Sequence, residues 1–142
     1  MRLWHIDLIT NGLLPKSQLL AQWRELNSIF KKQDNHILIN YVYNYSKNYL
    51  LHYTWAVLDE MKNRNIKIRS FENEINYFSN RSWFYEDDNF TEHNDQYLLI
   101  CFMNLYEKYI RGQKDFDKAT FCKLYDFVNT KFDLKSLGIE KE

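Results

Sequence analysis

The sequence predicts an all-α fold: a single compact domain of about four helices with long irregular connections, spanning residues 1–142. Only three Gly and one Pro occur in the 142 residues, so few positions interrupt a helix. The apolar residues between these breaks recur every three or four positions, which is the helical period, rather than every second position as in a strand. A chain of this length can bury about 68% of the surface that it exposes when unfolded, which is enough for a hydrophobic core.

The first helix is predicted from Ser17 to Phe30. Ser17 follows Pro15 closely and has the side chain of an N-cap. The apolar stripe of this helix consists of Leu19, Leu20, Trp23, Leu26 and Phe30. At about 100° per residue, Arg24 and Glu25 point away from that stripe, and therefore toward solvent or a ligand. Trp23 lies in the stripe and is predicted to pack in the core.

Two further helices are predicted from apolar spacing. The second runs from about Ser46 to Arg64 and ends near Asn65, a residue type that tolerates the left-handed conformation after a helix. Its inward face carries Leu50, Thr54, Val57, Leu58 and Met61. The third begins near Asn94 and stops at Gly112. Its inward face carries Tyr97, Leu98, Cys101, Leu105 and Tyr109.

The fourth helix has the clearest pattern, since Asp117 can cap it and apolar residues follow at helical intervals. These residues are Phe121, Leu124, Tyr125, Val128 and Phe132. The stretch NHILINYVYNY alternates as a strand would, but no partner strand is visible, so we interpret it as a buried irregular or helical segment. Residues 66–93 are predicted to form a long connection.

Composition excludes some classes of function. The 19 basic and 19 acidic residues balance, so the overall charge gives no sign of nucleic-acid binding. Cys101 and Cys122 lie in apolar helical surroundings without a CxxC motif, which predicts reduced thiols rather than a disulfide, a zinc site or a nucleophile. No apolar stretch approaches the roughly 18 residues of a membrane span, and the start lacks the pattern of a signal peptide. We therefore expect a cytoplasmic protein without membrane contact.

The chain opens with MRLWHIDLIT, an apolar and aromatic run at a position where most chains are polar and frayed. This run predicts an ordered N-terminus, and the bulky Arg2 predicts that Met1 is retained. α-Amines in general have a pKa of about 7.7–8.0, against about 10.4 for lysine side chains, and so are usable nucleophiles near neutral pH. Glu25 can serve as the accompanying acid or base if the N-terminus folds back over the first helix. From spacing alone, an exposed glutamate on an amphipathic helix is the alternative.

Five stretches are informative when taken in order: MRLWHIDLI, LLAQWREL followed by IF, NHILINYVYNY, LDEMKNRNIKI and LYEKYI. Together they resemble the pyrimidine-dimer DNA glycosylases typified by phage endonuclease V. The resemblance covers about the first 65 residues well, the region from His93 to Ile110 loosely, and little beyond Gly112. It implies a small helical enzyme that flips a nucleotide out of the duplex and attacks the sugar C1′ with its N-terminal amine. A Schiff base would form, the base would be released, and β-elimination would nick the strand.

Carried over by position, the resemblance implies that the Met1 α-amine is the nucleophile and that Glu25 is the essential carboxylate. The DNA-binding residues that it implies are Arg2, Arg24, His36 and Lys108. It further implies a monomer acting on damaged double-stranded DNA, with pyrimidine dimers as substrate and with no cofactor and no metal. The alternatives are a non-catalytic helical module that binds distorted nucleic acid or a protein, and a lyase or glycosylase for a different lesion or modified base.

The acidic stretch EDDNFTEHND offers a second candidate site, because carboxylates and a histidine can bind cations. The possible ligands are Asp87, Asp88, Glu92 and His93. The stretch lacks the glycine and the regular spacing of a calcium loop, so we interpret it as a solvated loop. The four histidines form no HExxH-type pair, and we expect them to be structural, apart from the contact implied for His36.

Overall fold

The computed structural model describes residues 1–79 and 89–141. The helices in these ranges are α1 (Ile6–Thr10), α2 (Lys16–Lys31), α3 (Lys47–Asn63), α4 (Glu72–Phe78), α5 (Asp95–Ile110) and α6 (Lys118–Asn129). Two short 3₁₀ helices cover Asn40–Asn44 and Lys135–Leu137. No strand occurs within the described ranges, so the all-α prediction is confirmed.

The four predicted helices correspond to α2, α3, α5 and α6, and each buries the apolar face that its spacing predicts. α3 packs against α1 and α2, while α5 packs against α6. Residues of the predicted stripes that are almost completely buried include Leu19, Leu26, Leu50, Thr54, Val57, Met61, Leu98, Cys101, Leu105, Phe121, Leu124 and Val128. Trp23 is half-buried and packs edge-to-face on Phe30 and Phe71, with ring centroids 6.4 and 6.2 Å away. Its predicted packing role is therefore confirmed.

Three of the predicted helix ends are confirmed by their capping interactions. The Asn94 side chain accepts a hydrogen bond from the Tyr97 N–H at 2.9 Å, and Asp117 accepts one from the Thr120 N–H at 2.8 Å. Asn65 has a φ of 57° directly after α3, as its tolerance of the left-handed region predicts.

The predicted cap of α2 is wrong, because the helix begins at Lys16 and Ser17 lies inside its first turn. The N–H and hydroxyl of Ser17 both donate to one carboxylate oxygen of Asp115, each at 2.7 Å. A carboxylate that is 98 residues distant thus binds a free N–H group of the first turn, where negative charge is also favourable to the helix dipole.

Two connections also differ from expectation. Residues 66–93 contain a helix, α4, which packs on α2 and places the buried Phe78 ring 5.3 Å from Phe30. The stretch NHILINYVYNY is a turn followed by a 3₁₀ helix, and it buries Ile39 and Val42 as predicted. The prediction of burial is wrong for Ile37 and Leu38, which are 81% and 43% exposed.

Both cysteines are free, in agreement with the prediction. Cys101 is fully buried, and burial raises the pKa of its thiol, which keeps it protonated and unreactive. Of the helices in the described part of the chain, none has the length and apolarity needed to cross a membrane.

Candidate active site

The first residues of the chain are ordered, as the sequence predicts. Leu3, Trp4 and His5 are all buried, at 0%, 7% and 3% exposure. His5 caps the short helix α1, and its Nδ1 accepts a hydrogen bond from the Asp7 N–H at 3.1 Å. Burial of this apolar run offsets the conformational entropy that is lost when a chain end is fixed.

Four side chains bind the backbone of residues 2–6, and we call them the N-terminal clasp: Gln22, Tyr53, His93 and Tyr97. Gln22 of α2 accepts from the Trp4 N–H at 2.8 Å and donates to the Arg2 carbonyl at 3.3 Å. The Tyr53 hydroxyl of α3 lies 2.6 Å from the Trp4 carbonyl and 2.9 Å from the Gln22 amide oxygen. The one hydroxyl proton of Tyr53 is therefore shared between the Trp4 carbonyl and the Gln22 amide oxygen.

The other side of the clasp comes from α5 and the residues just before it. The Tyr97 hydroxyl donates to the Leu3 carbonyl at 2.5 Å, and the Ile6 N–H donates to His93 Nδ1 at 3.0 Å. The second ring nitrogen of His93 lies 2.7 Å from the Tyr41 hydroxyl. Because Nδ1 accepts, the proton of the neutral ring is on Nε2, and this nitrogen donates to Tyr41.

The environment of the clasp keeps its groups neutral. Burial, reinforced by the neighbouring His5, lowers the pKa of His93 to about 3. Burial likewise lowers the pKa of His5 and raises the pKa of both Tyr53 and Tyr97. At neutral pH the histidine is thus an acceptor and the tyrosine hydroxyls are donors, as the hydrogen bonds require.

The clasp leaves Met1 at the edge of a pocket with a volume of about 320 Å³. The lining residues are Met1, Arg2, Trp4, Gln18, Ala21, Gln22, Glu25, Leu38, Asn104 and Lys108. They come from the N-terminal segment, α2, the turn before the first 3₁₀ helix, and α5. Met1 is 43% exposed, so this part of the pocket lining is in contact with solvent.

Glu25 is the acidic residue of this pocket. Its Oε2 is shielded from solvent, and no donor in the described part of the chain forms a hydrogen bond with it. Buried polar atoms are almost always hydrogen-bonded, and leaving one unpaired costs about 1–3 kcal/mol. Among the described residues, Glu25 forms no ion pair, either with the Met1 amine or with another cation. Met1 and Glu25 thus line one pocket, and the Oε2 atom of Glu25 keeps its capacity to accept a hydrogen bond.

Arg2 and Lys108 give the same pocket a positive character. The Arg2 guanidinium carbon lies 5.6 Å from the Trp4 ring and 6.0 Å from the Tyr97 ring, which holds this cation over aromatic faces. Within residues 1–79 and 89–141, neither Arg2 nor Lys108 forms an ion pair with a carboxylate. Two such cations near the amine favour an anionic substrate such as a phosphodiester.

Arg24 and His36 do not line the pocket. Arg24 is exposed on α2, next to Glu25 in the sequence. His36 is exposed in the turn that precedes Leu38, and its Nδ1 accepts a hydrogen bond from the Leu38 N–H at 3.2 Å. The structure therefore gathers Met1, Arg2, Glu25 and Lys108 in one pocket and leaves these two residues outside it.

Sequence reasoning did not identify the residues that hold the N-terminus. A signal was present on α2, where the buried Gln18 and Gln22 are one helical turn apart, because buried amides need partners. His93 was expected to be structural, and its burial and hydrogen bonds confirm this. Tyr53 and Tyr97 gave no signal, because a tyrosine in a helix is compatible with ordinary packing.

The acidic stretch does not form a cation site with His93, whose two ring nitrogens are occupied in the clasp. Glu92 accepts a hydrogen bond from the Tyr45 hydroxyl at 2.6 Å. Asp87 and Asp88 lie outside the described residues. Elsewhere in the chain, within those residues, no group of three or more potential metal ligands occurs.

Fold and pocket together define a small all-helical protein in which Met1, a glutamate and two cationic side chains line one pocket. The chain belongs to the pyrimidine dimer DNA glycosylase family, whose model matches residues 1–73. The match contains Met1 and Glu25 and ends before α5, which contributes Lys108 and Tyr97. Comparison with curated proteins and with solved structures gave no match.

Proposed function

We propose that this protein is a DNA repair glycosylase with coupled abasic-site lyase activity, and that it acts on pyrimidine dimers in double-stranded DNA. Family membership supports the glycosylase activity and the DNA substrate. The observation that supports the covalent mechanism is that Met1 and Glu25 line the same pocket and that Glu25 Oε2 has no hydrogen-bond partner among the described residues.

In the first step, the lone pair of the Met1 nitrogen forms a bond to C1′ of the damaged nucleotide. The bond from C1′ to the base breaks, and the base leaves with that electron pair and takes up a proton from water, while the amine passes one of its protons to the Glu25 carboxylate. Glu25 then donates a proton to the sugar ring oxygen as the C1′–O4′ bond opens, which leaves an iminium between C1′ and the Met1 nitrogen.

In the second step, the iminium makes the C2′ protons acidic. The Glu25 carboxylate accepts one of them, the C3′–O bond breaks, and the phosphate leaves with its electron pair. Water then hydrolyses the iminium, which frees the amine for another cycle. The carboxylate thus acts alternately as acid and as base, and it stabilises the cationic intermediate between the two steps.

The positively charged side chains and His36 are assigned to DNA binding. Arg2 and Lys108 line the same pocket, and we expect them to bind phosphates next to the reacting sugar. Arg24 and His36, which lie outside the pocket, would contact the strand further along. Because the whole chain is neutral, affinity for undamaged DNA should depend on a few such contacts and should have a shallow dependence on salt.

Borohydride trapping on abasic duplex DNA tests the mechanism, because reduction of an iminium leaves a permanent covalent complex. The free N-terminus should give the complex, whereas a protein with an uncleaved N-terminal tag should not. A tag at the other end of the chain is the control. Trapping that persists with the N-terminus blocked would contradict the assignment of the amine.

The Glu25→Gln variant should bind the same duplex normally while strand scission falls about 10²–10⁴-fold, since an amide cannot exchange the proton. Glu107→Gln is the matched control, because Glu107 is an exposed glutamate paired with Arg111 on α5.

A comparison of ultraviolet-irradiated and abasic duplexes then identifies the substrate. Activity on abasic DNA alone would favour a lyase or an enzyme for another lesion, and inactivity on both would favour a binding module.

A further inference from the structure

We propose that the side chain of Ile37 is an apolar wedge, which enters the base stack of the DNA and fills the space left when a nucleotide is extruded. Leu38 stands beside it at the edge of the candidate active-site pocket. This inference rests on the proposed function, and it adds the part of the protein that opens the duplex.

The exposure of these two residues is the first observation. Ile37 is 81% exposed, the highest value among the large apolar side chains in the described residues, and Leu38 is 43% exposed. A single exposed isoleucine is ordinary in a soluble protein. Packing does not explain two successive exposed apolar residues, the second of which lines the pocket that also holds Arg2 and Lys108.

The backbone of the turn directs both side chains outward. The His36 carbonyl accepts hydrogen bonds from the Ile39 N–H at 3.0 Å and from the Asn40 N–H at 2.9 Å. Ile37 and Leu38 are thus the two central residues of a hydrogen-bonded turn. The next residue, Ile39, is completely buried and anchors the turn to the core.

Side chains around the turn fix its shape before any ligand binds. Asp34 accepts from the His36 N–H at 2.9 Å, and His36 Nδ1 accepts from the Leu38 N–H. The Asp34 N–H in turn donates to the Tyr43 hydroxyl at 2.7 Å. A preformed turn loses little conformational entropy on insertion, so most of the apolar contact that it gains can stabilise the opened duplex.

The chemistry of the tip matches the faces of bases rather than the backbone of DNA. Extrusion of a nucleotide costs a few kcal/mol of stacking and pairing, and apolar side chains inserted at a base step offset that cost in kinked duplexes. Ile37 has no charge and no donor with which to bind a phosphate. The adjacent pocket, with Arg2 and Lys108, supplies the phosphate contacts that would hold the kink.

The test compares Ile37→Ser with Ile37→Met, which keeps an apolar side chain. The control is Ile75→Ser, since Ile75 is also an exposed isoleucine, at 61%, but lies on α4 and, unlike Ile37, is not next to a residue that lines the pocket. The first readout is the fluorescence of 2-aminopurine placed opposite the lesion in a duplex, which rises when stacking is lost. The second is borohydride trapping on single-stranded abasic DNA, which has no base stack to open.

We expect Ile37→Ser to lose most of the fluorescence rise and at least about tenfold of the excision rate on lesion-bearing duplex, with trapping on single strands within about twofold of wild type. Ile37→Met and Ile75→Ser should resemble wild type on both. A normal fluorescence rise and normal duplex excision in Ile37→Ser would overturn the wedge. Failure of the wild-type protein to trap single-stranded abasic DNA would instead contradict the proposed function, so the two failures are distinguishable.

Discussion

The two ends of the described chain are held in different ways. At the start, backbone groups of residues 2–6 are bound by side chains of α2, α3 and α5 and by His93, at sequence separations of 18 to 94 residues. At the other end, Ile139 and Lys141 lie on α6, the helix that precedes them. The Tyr125 hydroxyl donates to the Ile139 carbonyl at 3.0 Å, and the Lys141 ammonium lies 2.6 Å from an Asp126 oxygen.

The difference shows where the fold uses long-range contacts to fix a terminus. The last residues bind the helix that directly precedes them, so ordering them closes only a short loop. Residues 2–6 instead bind side chains of three helices, up to 94 residues away, which closes much longer loops. The clasp contributes stability through its hydrogen bonds to residues 2–6. What the clasp adds is a defined position for the Met1 amine relative to Glu25, which the proposed chemistry needs and which the other end of the chain does not.

Acid should weaken the N-terminal end first, and this is the largest effect that we expect. The unfolded chain binds a proton on His93 near the ordinary pKa of 6.5, but the folded chain resists protonation until about pH 3. Stability is therefore complete above pH 6.5 and is lost as the pH falls toward 3, by about 3 kcal/mol between pH 7 and pH 4. Burial lowers the pKa of His5 as well, so that residue acts in the same direction.

Urea unfolding measured at several pH values checks this expectation. His93→Gln keeps a possible acceptor for the Ile6 N–H but cannot titrate, so its free energy of unfolding should vary less with pH than that of wild type. An unchanged slope in the variant would show that other groups cause the loss.

Removing the amide of Gln22 should have the next largest effect. In Gln22→Leu, the buried Trp4 N–H loses its acceptor, and the free energy of unfolding should fall by about 2 kcal/mol. Trapping of abasic DNA should fall more than the folded fraction accounts for, because the amine is no longer held. Denaturant unfolding and trapping on the same preparation separate the two effects. Equal losses in both would indicate a purely structural role.

Two tyrosines allow a matched comparison of the chain ends. Tyr53 and Tyr125 are both buried, and each donates to a backbone carbonyl near one terminus. Tyr53→Phe and Tyr125→Phe should each cost about 1 kcal/mol of stability. Strand scission should slow in Tyr53→Phe and stay at the wild-type rate in Tyr125→Phe. A similar rate in both variants would mean that the clasp does not position the amine.

The smallest effect should come from the ion pair at the far end. The side chains of Lys141 and Asp126 are 43% and 61% exposed, and pairs this open to solvent contribute little because water and salt screen them. Lys141→Ala should therefore leave both the urea midpoint and the scission rate within experimental error of wild type. A measurable loss of activity would show that the two ends are coupled.

Sequence reasoning predicted the parts of the fold that depend on local pattern. α2, α3, α5 and α6 follow from apolar residues at helical spacing, the start of α5 was predicted near Asn94, and Asp117 was predicted to cap α6. The cap of α2 was missed, since Asp115 is 98 residues from Ser17 and no spacing rule connects them. α4 was missed because its seven residues carry only a short apolar pattern, and burial of Phe78 against Phe30 supplies the rest.

Less of the candidate site than of the fold could be predicted from the spacing of residues. Spacing showed only that Glu25 leaves the apolar face of its helix, and its pairing with Met1 depended on the family resemblance. Lys108 required the same resemblance, because its place in the pocket is set by the packing of α5 against the N-terminal segment. The outward turn at Ile37 could not be predicted, since alternating apolar residues fit a buried strand or helix equally well. The functional roles of Met1, Glu25, Lys108 and Ile37 remain predictions.

The hydrogen bond from Ser17 to Asp115 links the two halves of the chain at the helix that carries Glu25. The family match ends at residue 73, but the cap of α2, Lys108, and two of the four clasp side chains come from beyond it. A fragment limited to the matched residues would keep the recognisable signature and lose the means to aim its amine. A truncated or fused version of this protein should therefore retain the residues after 73 as well as the matched residues 1–73. The side chains that matter there are scattered along the chain and form no continuous motif.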